Sequence, residues 1–222
     1  WRSVDTEMFP LIGPTNETDF KVNTPKGFAT QDQHGLLREM EYVLTDSTDS
    51  KAVFSKTYSA NTEILNSKYP AKSTAEKLSW PYDFEFVKTL ELVNNSLEVT
   101  FSISGEEGMP FMLGYHPAFM LHSENAVITT GNQDITIPEV MAVGSRALQV
   151  PKTDTITLKD EKSIQITSEG FSHFMLWTEV PNMVCIEPIT FYPYAVAQQN
   201  LAEGFMVLKD EPAIFKVSLK PL

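Results

Sequence analysis

From residue 39 to its end the chain is broken into short apolar-rich runs separated by turn residues, and this punctuation limits what it can fold into. The runs fall at about 39–46, 51–59, 83–93, 97–104, 109–116, 125–130, 133–137, 154–158, 162–168, 173–178, 182–187, 204–208 and 212–219. Runs this short and this closely spaced read as strands rather than helices. Period-two alternation is clearest in Ser163-Ile164-Gln165-Ile166-Thr167 and in Leu97-Glu98-Val99-Thr100-Phe101-Ser102-Ile103, the pattern of a strand with one buried face. Asn94-Asn95 and Lys159-Asp160-Glu161 supply turn chemistry between paired runs. One helical turn is predicted at Ser73-Thr74-Ala75-Glu76, a capping-box spelling that Pro81 soon stops. No repeat, low-complexity tract or Pro/Gly/Ser linker divides the 222 residues. The expectation is an all-β protein, one large antiparallel β-sandwich domain over residues 1–222.

Two of these runs end on a titratable group followed by proline. Met183-Val184-Cys185-Ile186 runs straight into Glu187-Pro188, and Phe111-Met112-Leu113-Gly114-Tyr115 runs into His116-Pro117. A carboxylate is costly to bury unless it is paired or hydrogen-bonded. Glu187 is therefore expected at the strand's exit, where the chain leaves the core and meets a cleft. Proline cannot donate to a ladder and holds the residue before it extended. Two core strands built alike give His116 and Glu187 as a candidate acid/base pair, and a hydrogen-bonded structural pair is the competing reading.

Composition narrows the function classes. Hydrophobic residues make up 42% and charged residues 21%, enough for a sizeable core and too apolar for wholesale disorder. A net charge of −12 argues against nucleic acid or an anionic membrane as partner. No apolar run approaches the roughly 20 residues of a bilayer span, and no charged-then-apolar leader follows Trp1, so a cytoplasmic location is expected. The single cysteine, Cys185, excludes an internal disulfide and reads as a small hydrophobe in mid-strand. Residues 8–38 read as loop-rich and polar, the character of a binding or lid segment.

The other histidines are His34, His122 and His173. His122 and His173 have no site signal beside them and read as surface or packing residues. His34 precedes Gly35 in a polar loop, where a solvated histidine is the plain reading. The sequence has no zinc-spaced Cys/His cluster, no His-Glu-x-x-His, no phosphate-cradling glycine loop and no nucleophile elbow. Aromatic residues such as Trp80, Trp177, Tyr192 and Tyr194 read as core, and near a cleft they stack on the apolar face of a sugar ring.

Five pieces in order along the chain resemble the aldose 1-epimerase (galactose mutarotase-like) family. They are Phe9-Pro10-x-x-Gly13, His34-Gly35-x-x-Arg38, Gly114-Tyr115-His116-Pro117-Ala118-Phe119, Cys185-Ile186-Glu187-Pro188 and Glu203-Gly204-Phe205-Met206-Val207-Leu208. The resemblance implies the family's large β-sandwich, the galactose mutarotase-like supersandwich. Family chains usually carry strands ahead of the Phe-Pro motif, so N-terminal strands are expected to be missing from this sequence.

The resemblance further implies that Glu187 is the general base and His116 the general acid. His34 and Arg38 would bind the sugar, with His34 also polarising the ring. The implied reaction interconverts α- and β-anomers of an aldose by opening and reclosing the ring, with a small sugar as partner and no metal or other cofactor. Many relatives place an acidic residue before an Ala-Leu pair, where it contacts sugar hydroxyls. Here that place reads Arg146-Ala147-Leu148. Arg146 is thus a candidate substrate-binding residue and opens the reading of a hexose-phosphate epimerase. A non-catalytic carbohydrate-binding β-sandwich is the third reading.

Overall fold

Antiparallel pairing organises the chain in the computed structural model, which describes residues 7–131 and 133–222. A nine-stranded sheet runs in the spatial order Gln133–Thr136, Val127–Thr130, Thr155–Lys159, Ile164–Glu169, Ala213–Pro221, Ser96–Gly105, Phe84–Val93, Lys51–Tyr58 and Val43–Ser47. A six-stranded sheet faces it, in the order Glu7–Met8, Gly114–Tyr115, Met183–Ile189, His173–Trp177 and Leu148–Pro151, with Ala118–Met120 also paired to Met183–Ile189. The expected all-β antiparallel sandwich is therefore the fold observed.

Side-chain alternation builds the core between the sheets. Val99, Phe101 and Ile103 point inward from one strand, and Phe84 and Phe86 from its neighbour, all buried. They meet Phe174, Leu176, Val184 and Ile186 of the six-stranded sheet in one apolar cluster. Each such side chain contributes about 1.5–3 kcal/mol of burial, set against the entropy of ordering it. A buried ion pair from Lys88 to Glu7 also ties the two sheets. A second, smaller cluster covers the outer face of the six-stranded sheet, with Met8, Leu11, Ile12, Met175 and Ile189 at its centre.

Three local expectations are corrected. Ser73-Thr74-Ala75-Glu76 is not helical, because the Ser73 hydroxyl receives the Ala75 N–H and the Asn66 side chain instead of opening a helix. The α-helix lies at Ile137–Val143, where Thr136 and Glu139 form a complete capping box with Pro138 in the first turn. The run 109–116 is two short pieces, Pro110–Phe111 and Gly114–Tyr115, in different sheets. Residues 8–38 hold a hairpin, Lys21–Thr24 with Gly27–Thr30, and several fully buried side chains, so the segment is packed structure rather than a polar loop. No helix of the described residues is long and apolar enough to cross a membrane.

Candidate functional site

The site is built on a window in the six-stranded sheet. Gly114 pairs with Ile189 and Ala118 pairs with Cys185, and the same register continues between them, setting His116 opposite Glu187. Pro117 and Pro188 stand in this stretch, and neither has an N–H to give to the ladder. Glu187 is corrected from its expected place at a strand exit. The strand continues to Ile189, and Glu187 lies inside it at 1% exposure. Pro188 does not end the strand: it keeps its place in the ladder opposite Phe174, and Thr190 N–H reaches Leu113 C=O beyond it at 2.9 Å.

Period two decides which residues share the site. Val184 and Ile186 enter the core between the sheets, so Cys185, Glu187 and Ile189 face the other way. Met175 and Trp177 of the neighbouring strand lie beside Glu187 and Cys185. His116 Nε2 stands 3.2 Å from Glu187 Oε1, with the His116 side chain 15% exposed and that of Glu187 2%. The carboxylate is thus the more deeply buried of the two groups and the imidazole the more exposed. Trp177 packs against His116 at 6.1 Å between ring centres. The thiol of Cys185 is pushed up by burial and by the Glu187 charge.

His34 arrives from the N-terminal segment. Its ring lies 5.3 Å from that of His116, edge to face. The backbone at His34 and Gly35 is left-handed, with φ of 73° at both. Three main-chain bonds hold it there: Gly35 N–H to Asp32 C=O at 3.0 Å, Phe9 N–H to His34 C=O at 3.1 Å, and Leu37 N–H to Phe9 C=O at 3.1 Å. His34 Nδ1 is buried without a hydrogen-bond partner. Such a group costs about 1–3 kcal/mol, a cost that recurs where a ligand supplies the missing partner. Burial, then the charges of His116, Lys68 and Arg38, hold the imidazole well below its usual range, so His34 is neutral at neutral pH.

A polar network supports this loop. Asp32 receives the Asn66 side chain at 2.8 Å and the Gln33 N–H at 2.6 Å, with Lys68 at 3.5 Å. Burial raises the Asp32 carboxyl, and the bonds from Asn66 and Ser73, the Lys68 charge and the Gln33 N–H together outweigh it and hold it low. Arg38 sits on the short helix Leu37–Glu39, with its Nε 3.2 Å from Glu39 and both side chains largely buried.

The structure thus brings His116, Glu187 and His34 into one contact group, with Arg38 close enough for its charge to act on His34. Arg146 stands apart from that group. It is exposed, with its guanidinium 5.2 Å from the Tyr194 ring centre, and Tyr194 in turn feels the Glu187 charge. Sequence reasoning missed Asp32, Asn66 and Lys68 as supports and Cys185 as a neighbour of the pair, and it named Trp177 and Tyr194 as core aromatics that stack on a sugar only if near a cleft, without placing them beside the pair. Cys185 was detectable, since it lies two residues before Glu187 on one strand and so shares its face. Lys68 carried no signal, because only folding brings it to His34. Donor atoms of His116, Cys185 and Glu187 all lie within 4.8 Å of one another, a group able to hold a metal ion.

The sequence profile of the aldose 1-epimerase family matches residues 15–180. A galactose mutarotase related enzyme from Lactobacillus acidophilus has a similar fold, with a TM-score of 0.75 and 19% identity over 97% of this chain and 82% of that one. A galactose mutarotase-like protein from Lactobacillus casei gives 0.73 and 17% over 97% and 84%. An aldose epimerase homologue from C. elegans gives 0.69 and 10% over 97% and 81%. No curated protein sequence matches the chain.

Proposed function

Because the chain belongs to the aldose 1-epimerase family, we propose that it is a single-domain mutarotase that interconverts the α- and β-anomers of an aldose. The observation that carries this reading is the separation of 3.2 Å between His116 Nε2 and Glu187 Oε1 beside a neutral His34. The hydroxyl oxygen and the ring oxygen of a pyranose are bonded to the same carbon, C1. An acid and a base that serve both must therefore come from adjacent positions, as a cross-strand pair does.

Glu187 takes the proton of the C1 hydroxyl while His116, in its protonated form, gives one to the ring oxygen. The bond from C1 to the ring oxygen breaks, its electron pair goes to that oxygen, and C1 becomes an aldehyde. After rotation about C1–C2 the two groups run in reverse, and the ring closes on the other face with both protons restored. His34, kept neutral, offers a hydrogen bond to the sugar without competing for the transferred proton. Arg38, braced by Glu39, binds hydroxyl groups.

Trp177, against His116, and Tyr194, within reach of the Glu187 charge, offer aromatic surface for the apolar face of the ring. A neutral aldose is the substrate class favoured by the buried position of Arg38, which is already engaged with Glu39. A hexose phosphate is the second reading, favoured by the exposed cation of Arg146 over Tyr194, which itself feels the Glu187 charge. NMR anomer exchange on fresh aldoses and hexose phosphates tests both. Acceleration of at least one substrate over the buffer rate is expected, and none across the panel would leave a carbohydrate-binding sandwich.

A further inference from the structure

Among the described residues, one group of three side chains has metal-ligand donors in mutual reach, and it lies at the proposed proton-exchange site. Its donors differ in kind: an imidazole nitrogen from His116, a carboxylate oxygen from Glu187 and a sulfur from Cys185. The mechanism uses the first two and leaves the thiol without a task. A sulfur, a nitrogen and an oxygen are the donor set of borderline-soft divalent ions, whereas Mg²⁺ and Ca²⁺ take oxygen ligands.

The distances fit. Zn²⁺ bonds of about 2.1 Å to nitrogen and oxygen put two tetrahedral ligands about 3.4 Å apart. His116 Nε2 and Glu187 Oε1 already stand at 3.2 Å. Sulfur, with its longer bond, belongs about 3.6 Å from either, and Cys185 Sγ lies within 4.8 Å of both, so closing on a metal asks for about an ångström of movement. Charge fits as well. One thiolate and one carboxylate neutralise a divalent cation, so a largely buried site is left with no net charge. Cys185 and Glu187 share a strand face, which keeps two of the three donors aligned.

We propose that His116, Cys185 and Glu187 form a site for a thiophilic divalent cation such as Zn²⁺, whose binding stops proton exchange. On binding, the Cys185 thiol gives its proton to solvent and the thiolate becomes a ligand, as metal binding to thiols requires. A water or a sugar hydroxyl completes the coordination. The metal takes the lone pairs of Glu187 and His116, which are then unable to accept or deliver protons. Binding stands on the donor geometry alone, while the loss of turnover rests on the mutarotase reading.

Titration with Co²⁺ tests binding without reference to activity. A thiolate ligand gives a charge-transfer absorption, expected here at one equivalent, removed by excess Zn²⁺ and unaffected by Mg²⁺ or Ca²⁺. Cys185→Ser is expected to abolish that absorption and weaken Zn²⁺ binding by at least about tenfold. Cobalt bound without a thiolate band, or no binding by the unaltered protein, would overturn the site whether or not the variant folds. Exchange kinetics form the second arm, each protein compared with its own metal-free rate. Zn²⁺ is expected to suppress exchange by the unaltered protein and to lose about tenfold in potency on Cys185→Ser. A thiolate band with undiminished exchange would keep the metal site and overturn the inhibition. An absence of exchange before any metal is added would count against the mutarotase reading alone.

Discussion

Gly35 has no room for a side chain: a Cβ there would lie 2.2 Å from the carbonyl oxygen of Phe9. The same carbonyl accepts the Leu37 N–H, and the Phe9 N–H is given to His34. Two sequence motifs about 25 residues apart are therefore one structural unit, in which the Phe-Pro corner fixes where the His34 ring points.

Gly35→Ala follows from this geometry. Alanine would have to hold φ of 73° and also clear the Phe9 carbonyl. The left-handed conformation and the overpacking together cost about 2–4 kcal/mol. The denaturant midpoint should fall by the corresponding amount with an unchanged slope. A midpoint equal to that of the unaltered protein would mean that the corner is not rigid.

Glu187→Gln and His116→Asn test the pair. Glutamine keeps the shape of the buried carboxylate and removes its basicity, so anomer exchange should fall at least about a hundredfold. Removing one buried charge beside His116 leaves the apolar packing intact, so the fold should survive. His116→Asn should lower turnover while sugar binding stays detectable. NMR exchange spectroscopy with far-ultraviolet circular dichroism on the same samples separates the outcomes. Retained exchange in a well-folded Glu187→Gln protein would remove the base from its role.

The sandwich was legible because its long strands obey period two: the strand Ser96–Gly105 buries Val99, Phe101 and Ile103 as its alternation requires. The site was legible in outline because two prolines mark its two strands. What sequence could not show is that these prolines lie in one gap of the sheet, so that Glu187 sits within its strand instead of at an exit. That depends on the register between segments about 70 residues apart, which no local pattern encodes. The helix was missed for another reason. Capping-box spellings occur at Ser73 and at Thr136, and only the second is followed by a residue pair, Ile137 and Val140, that enters the core.

The His34 shift makes stability depend on pH. An unfolded His34 takes a proton near its usual 6.5, and the buried native one does so only well below that. Between those values the unfolded chain binds more protons, so the contribution is complete above about 6.5 and is lost as pH falls. Asp32, held low, adds a loss of the same sign at more acidic pH. Denaturant midpoints at about pH 7.5 and 5.5 should show a drop for the unaltered protein and a smaller drop for His34→Asn, chosen because Asn tolerates the left-handed backbone. Parallel curves would place the acid sensitivity elsewhere.

Arg146 decides the substrate class. With a net charge of −12 the protein repels anions at long range, so a sugar phosphate needs a local cation to bind. The Arg38 side chain is buried and paired with Glu39, whereas Arg146 is exposed over the Tyr194 ring. On the neutral-aldose reading Arg146 is a rim residue, and Arg146→Ala should change kcat/KM for glucose or galactose by less than about twofold, as exposed charges do. On the phosphate reading the guanidinium makes a charge-assisted pair worth about 1.5–3 kcal/mol. The same substitution should then cost about tenfold or more for a hexose 6-phosphate, with the loss shrinking as salt is raised. We expect the first pattern, because Arg38 is paired with Glu39 and the exposed Arg146 stands outside the contact group of His34, His116 and Glu187. A selective, salt-sensitive loss on the phosphorylated sugar would reverse that assignment and make Arg146 the residue that reads the phosphate.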